Sequence, residues 1–182
     1  MQRCDWANSS TEDQNYHDEQ WGVPVHDDRL LFEMLTLEGA QAGLSWTTIL
    51  KKRQGYLDAF DNFNVEKIAR YSNAKIEKLM NNPGIVRNRA KLVATVTNAK
   101  QFLEVQKQHG SFDRYIWSFV GGKPVINKWR SMSDVPAQTI ESQTMSKDLV
   151  TRLDEAYPDD LATGYQVGEI RGAFSVTKTI QH

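Results

Sequence analysis

Asn81-Asn82-Pro83-Gly84-Ile85-Val86-Arg87-Asn88-Arg89-Ala90-Lys91 stands between two segments striped with apolar residues at helical spacing. Ahead of it Ile76, Leu79 and Met80 share one face, with Asn73 as the expected cap. Behind it Leu92, Val93, Val96 and Ala99 do the same on a helix expected to run to about Gln108, where Gly110 ends it. Pro83-Gly84 is a tight turn, so the stretch reads as a hairpin joining two helices. Such a turn exposes backbone N–H groups at the positive end of the following helix, where an anion is favoured. Arg87, Arg89 and Lys91 add side-chain charge there. Gly84, Ile85, Val86, Arg87, Arg89 and Lys91 are therefore candidate phosphate contacts of the kind that reads no base sequence. An ordinary connection with solvated basic side chains is the competing reading.

The same period extends outward in both directions. Leu30, Leu31, Met34, Leu35 and Leu37 follow a cap at Asp27 or Asp28, and Ile49, Leu50, Tyr56, Leu57 and Phe60 form a second stripe after Trp46. Asn64 caps a short helix with Val65, Ile68 and Ala69. Phe112 to Val120 forms another, closed by Gly121-Gly122-Lys123-Pro124. Strand signals of period two are scarce, so the class is all-α, with about seven or eight helices. Residues 1–22 are rich in aromatic and ligand-type side chains and poor in aliphatics, and read as an arm lying across the rest. Beyond Leu149 breakers and acids interrupt every apolar stripe. The expected division is a helical domain over 1–149 and a polar tail over 150–182.

Between the first two stripes lies Leu37-Glu38-Gly39-Ala40-Gln41-Ala42-Gly43-Leu44-Ser45-Trp46. A carboxylate, an amide, a hydroxyl, an indole and two glycines within ten residues are not what a helix core needs. Each glycine costs about 1 kcal/mol against alanine inside a helix, so the chain turns here or something large approaches its backbone. Glu38, Gln41, Ser45 and Trp46 are candidate pocket residues. Tyr16, Trp21 and Trp46, gathered on one cavity, would suit a planar or cationic guest.

The 182-residue chain carries a net charge of −1, so any nucleic-acid face is a local patch and not a basic coat. No apolar run approaches the roughly 18 to 20 residues of a membrane span, and the N-terminal residues lack the apolar core of a secretory signal. A cytoplasmic, membrane-free protein is expected. The single cysteine, Cys4, cannot form an internal disulfide and agrees with a reducing compartment. Cys4 and His17 are of zinc-ligand type, but two ligands do not close a tetrahedral site.

The order of these features resembles the DNA-3-methyladenine glycosylase I family of the helix-hairpin-helix glycosylase superfamily. The matching text is Arg3-Cys4-x-Trp6, Tyr16-His17-Asp18 through Trp21-Gly22-Val23-Pro24, Leu31-Phe32-Glu33-Met34, residues 37–46, Ile49-Leu50-Lys51-Lys52-Arg53, Gly84 to Lys91 and Trp117-Ser118-Phe119. The resemblance implies a monomeric base-excision enzyme acting on double-stranded DNA. It would flip out an alkylated adenine and hydrolyse its N-glycosidic bond without lyase chemistry. It implies Glu38 hydrogen-bonding the lesion, Tyr16, Trp21 and Trp46 around the purine, and the hairpin at Gly84 on the DNA backbone. It also implies a structural zinc on Cys4 and His17, completed by a His and a Cys near the end. Those last two are missing from the matching text, so a catalytically impaired lesion-binding protein of the same fold is the alternative. Asp13 and Gln20 stand where relatives often have an aromatic residue and a Glu.

Overall fold

The computed structural model describes residues 3–128, 134 and 136–156. The chain divides into two compact units, one ending at Ile116 and one beginning at Trp117. The first opens with a 3₁₀ turn, Asp5–Ser9, followed by α1 (Thr11–Glu19), α2 (Asp28–Gln41) and α3 (Trp46–Ala59). A second 3₁₀ turn, Asp61–Phe63, leads to α4 (Val65–Ile68), α5 (Asn73–Met80) and α6 (Arg89–His109), and α7 (Phe112–Ser118) runs into the second unit. There the last described helix is α8 (Ile140–Ala156). Among the described residues there is no strand, as the all-α reading requires. The expected domain edge at 149/150 falls inside α8, and the tail from 157 onward lies outside the described residues.

Side-chain caps start the helices of the first unit, each contributing about 1 kcal/mol. Asp27 Oδ1 accepts from the Leu30 N–H at 2.8 Å, Ser45 Oγ from Thr48 N–H at 3.2 Å and Asn64 Oδ1 from Lys67 N–H at 2.9 Å. The α5 cap is Ser72, one residue before the expected Asn73. Its extended backbone lets Oγ accept from Lys75 N–H at 3.3 Å, which leaves Asn73 as the first helical residue.

The core of this unit lies where α2 and α6 cross. Phe32 and Leu37 of α2 are fully buried, and Leu92, Ala99 and Phe102 of α6 nearly so. The Phe102 ring meets Phe32 edge-on at 5.2 Å and stacks on Phe112 at 4.1 Å. Each such side chain removed from water stabilises the fold by about 1.5–3 kcal/mol. A second aromatic stack, Tyr56, Phe60 and Phe63, closes the end of α3. Asp28 ties the core to the start of α7, accepting from the N–H groups of Phe112 and Asp113 at 2.9 and 2.8 Å and from Gln106 Nε2 at 2.7 Å. This packing fixes the C-terminal end of α2, which carries Glu38.

Within the second unit, Gly121 and Gly122 have φ of 65° and 74° and turn the chain after α7. The Gly122 N–H donates back to Trp117 O at 2.8 Å. On α8, Met145 is buried.

Candidate active site

The N-terminal arm, α1 and the α2–α3 turn bring an aromatic group together. Trp6, in the first 3₁₀ turn, lies 6.3 Å from Tyr16, 5.4 Å from His17 and 5.6 Å from Trp21, centroid to centroid. His17 stacks on Trp21 at 5.2 Å. Tyr16 meets Trp46, the first residue of α3, at 5.1 Å with the ring planes 63° apart. Of the three expected aromatics, Tyr16 and Trp46 are in direct contact, and Trp21 joins them through Trp6 and His17. At that spacing no base fits between the Tyr16 and Trp46 rings. They form the corner of a wall, and both rings are only half-buried. The Trp46 Nε1 is buried with no hydrogen-bond partner among the described residues.

Glu38 sits beside this corner near the end of α2. Burial raises its carboxyl above the usual range. The Tyr16 phenol is pushed up to about 12, first by burial and next by the Glu38 charge, with Arg53 opposing. The Tyr16 phenol is therefore neutral at physiological pH. Two cavities lie elsewhere, one of about 350 Å³ bordered by Asp61, Asn64 and Lys67, the other of about 80 Å³ bordered by Thr36, Gly39 and Lys91.

Not every polar residue of the 37–46 stretch faces the corner. Ser45 commits its hydroxyl to the α3 cap and to Thr48 Oγ1, 2.8 Å away. Gln41 is half-buried on the last turn of α2. The glycines divide in purpose. Gly43 has φ of 77° and makes the turn, whereas a Cβ at Gly39 would meet nothing within 4 Å, so the protein itself does not demand glycine there.

The hairpin exists as a turn between α5 and α6, but its N–H groups are largely spoken for. Gly84 N–H donates to Asn82 Oδ1 at 2.8 Å, and Val86 N–H to the Tyr56 hydroxyl at 3.3 Å. The turn packs on α3, with Ile85 buried and Pro83 O accepting from Lys52 Nζ at 2.8 Å. The basic trio also separates. Lys91 Nζ donates to the carbonyls of Ala40 at 2.8 Å and Ala42 at 2.5 Å, so it caps α2, where a cation complements the dipole. Arg89 pairs with Glu77 on the surface. Arg87 is exposed and makes no ion pair among the described residues.

Residues 6–153 match the methyladenine glycosylase family. The chain belongs to it. DNA-3-methyladenine glycosylase of Haemophilus influenzae is 45% identical over 150 residues, 82% of this chain and 81% of that protein. A crystal structure of 3-methyladenine DNA glycosylase I is 43% identical, covers 83% of each chain and has a TM-score of 0.76. A Y16F form of 3-methyladenine DNA glycosylase I, solved in complex with 3-methyladenine, is 39% identical with a TM-score of 0.77, covering 83% of this chain and 81% of that one.

In this member of the methyladenine glycosylase family the zinc reading meets a specific obstacle. His17 Nε2 accepts the Cys4 N–H at 3.4 Å, while Nδ1 lies 3.0 Å from Asp18 Oδ1, which Arg3 grips in turn. Among the described residues no group of three or more His, Cys, Asp or Glu is arranged to hold a metal. His26 is engaged with Asp113 and His109 packs on Tyr115. The described residues thus do not fit a closed four-donor site, and His182 lies outside them. No helix among the described residues is long and apolar enough to cross a membrane.

Two residues of the region were not singled out by the sequence as site residues. Trp6 is the hub of the aromatic group, and the density of aromatics in an arm without aliphatics was its signal. Leu44 is 41% exposed on the Gly43 turn, a large apolar side chain left at the surface.

Proposed function

We propose that this chain is a DNA-3-methyladenine glycosylase that flips the damaged base out of the duplex and hydrolyses its N-glycosidic bond, with no lyase step. The observation that carries the reading is the Tyr16–Trp46 corner with the desolvated Glu38 carboxyl beside it. N3 methylation makes the adenine cationic, so it stacks well on electron-rich rings and attracts a carboxylate. Glu38 accepts its exocyclic N–H, and the unpartnered Trp46 N–H suits a ring-nitrogen acceptor. The exposed Leu44 suits the gap left in the stack.

The chemistry is mild. As the glycosidic bond breaks, its electron pair passes to the base and neutralises it. Water oxygen bonds to C1′ and releases a proton to solvent. Flipping costs least for a base whose pairing is already damaged. Cys4 and His17 alone do not complete a zinc site among the described residues, so no step is routed through a metal.

Release of 3-methyladenine from alkylated duplex under single-turnover conditions tests this. Lesion-dependent binding without release favours the impaired-binder reading, and neither activity removes both. The hairpin makes a separate prediction about salt. Arg87→Ala should flatten the dependence of log affinity on log salt by about one phosphate contact. Lys91→Met should leave that slope unchanged, because its ammonium already sits on carbonyl oxygens.

A further inference from the structure

α1 carries Tyr16 yet has no aliphatic residue anywhere in Thr11–Glu19. Apolar burial, which fastens α2, α3 and α6, has little to act on here. Polar links take its place, one at each end of the helix. At the first turn Asp13 is 2% exposed. Its Oδ2 accepts from Ser10 Oγ at 2.8 Å and, across to α3, from Thr47 Oγ1 at 2.7 Å. Thr47 is the residue next to Trp46. At the other end Gln20 Oε1 accepts from Arg53 Nη1 at 2.6 Å. Arg53 is itself held by the buried Glu33, whose Oε1 accepts from Arg53 Nε at 2.5 Å while Arg29 donates to Oε2 at 3.1 Å.

Both links run from α1 to α3, the two helices that supply the walls of the corner, and neither touches the hairpin. Tyr16 lies about one helical turn from each anchor. We infer that Asp13, Thr47, Gln20 and Arg53 are positioning residues that set the spacing and angle of the Tyr16–Trp46 corner against which the alkylated base docks. The inference rests on the function proposed above. It also gives Asp13 and Gln20 a use: a helix too polar to pack is aligned by directional bonds, and a buried carboxylate tolerates little displacement of its donors.

Thr47→Val removes the donor with almost no change in volume, and Gln20→Ala removes the acceptor. Binding of free 3-methyladenine, followed by tryptophan fluorescence, should weaken about five- to tenfold in each, with single-turnover excision falling alongside. Affinity for undamaged duplex should stay within about twofold, because the hairpin rests on α3 through Lys52, Gly55 and Tyr56, none of which these substitutions alter. Gln20→Glu keeps an acceptor for Arg53 and should bind the base like the unaltered chain. Unchanged base affinity in Thr47→Val overturns the inference. So does parallel loss of base and duplex affinity, or a Gln20→Glu variant as weak as Gln20→Ala. An unaltered chain that binds no 3-methyladenine removes the functional reading and this inference with it. Normal binding in both chain and variants removes the clamp alone.

Discussion

Glu38→Gln is expected to lower single-turnover excision by about ten- to a hundredfold while leaving the fold intact. The magnitude follows from what the carboxylate does before the bond breaks: it holds the flipped, cationic base in a partly dry site, and a lost charged hydrogen bond of about 1.5–3 kcal/mol lowers the reactive population by about ten- to a hundredfold. The isosteric amide keeps an acceptor oxygen but loses the charge. The pH dependence separates this from a packing effect. Burial raises the Glu38 carboxyl above its ordinary value, so the working carboxylate is lost as pH falls through that raised value. The acid limb of the excision profile should therefore lie above the usual carboxylate range, and Glu38→Gln should abolish it. Tyr16→Phe should leave the limb where it is, because the phenol does not titrate until about 12.

Stability carries the opposite sign. A carboxyl whose folded pKa is raised favours the fold in its protonated form, a contribution present at low pH and lost as pH rises through the folded value. At neutral pH the substitution should leave the melting temperature unchanged or slightly higher. A Glu38→Gln chain with near-normal excision and an unshifted acid limb would remove Glu38 from the chemistry.

How far these features could be read from sequence depends on whether apolar periodicity was the thing to read. α2, α3, α4 and α6 bury aliphatic and aromatic stripes, so spacing located them closely, with a polar cap besides for α2 and α4. α1 was hidden, because Thr11–Glu19 offers no aliphatic stripe and is held by Asp13, Gln20 and Asp18 hydrogen bonds together with the Tyr16 and His17 rings. Its capping pair, Ser10 and Asp13, was the available local clue. Within the candidate site, the proximity of Glu38 to an aromatic group was legible from the odd mixture at 37–46. The partners of individual polar atoms were not. Ser45 and Lys91 are residue types that suit substrate and phosphate, yet one hydroxyl went to a helix start and one ammonium to a helix end. Both ends lie at the same turn, where unpaired backbone groups compete for any nearby donor or acceptor. Sequence shows the supply of polar groups; only the fold shows which backbone ends claim them.

That competition between local propensity and close approach is sharpest at Gly55, in the interior of α3. On propensity alone Gly55→Ala should stabilise the helix by about 1 kcal/mol. The fold opposes it, because a Cβ at Gly55 would lie 2.2 Å from Gly84 O and 2.7 Å from Gly84 C. The obstacle is backbone, and it cannot swing aside. Lys52 holds Pro83 O, the Tyr56 hydroxyl accepts the Val86 N–H, and Ile85 is buried beneath the turn. Forcing an added methyl into such a contact costs about 1–3 kcal/mol or more, and here the shift must move the whole hairpin. Net destabilisation of about 2 kcal/mol is expected, lowering the melting temperature by about 4–8 °C for a chain of this size. Affinity for undamaged duplex should fall with it, since the exposed Arg87 rides on the displaced turn. A Gly55→Ala chain that melts higher and binds duplex normally would show that the hairpin does not depend on this approach. Rising stability with falling duplex affinity would instead mean that the hairpin moves freely and that its contact with α3 serves DNA binding alone.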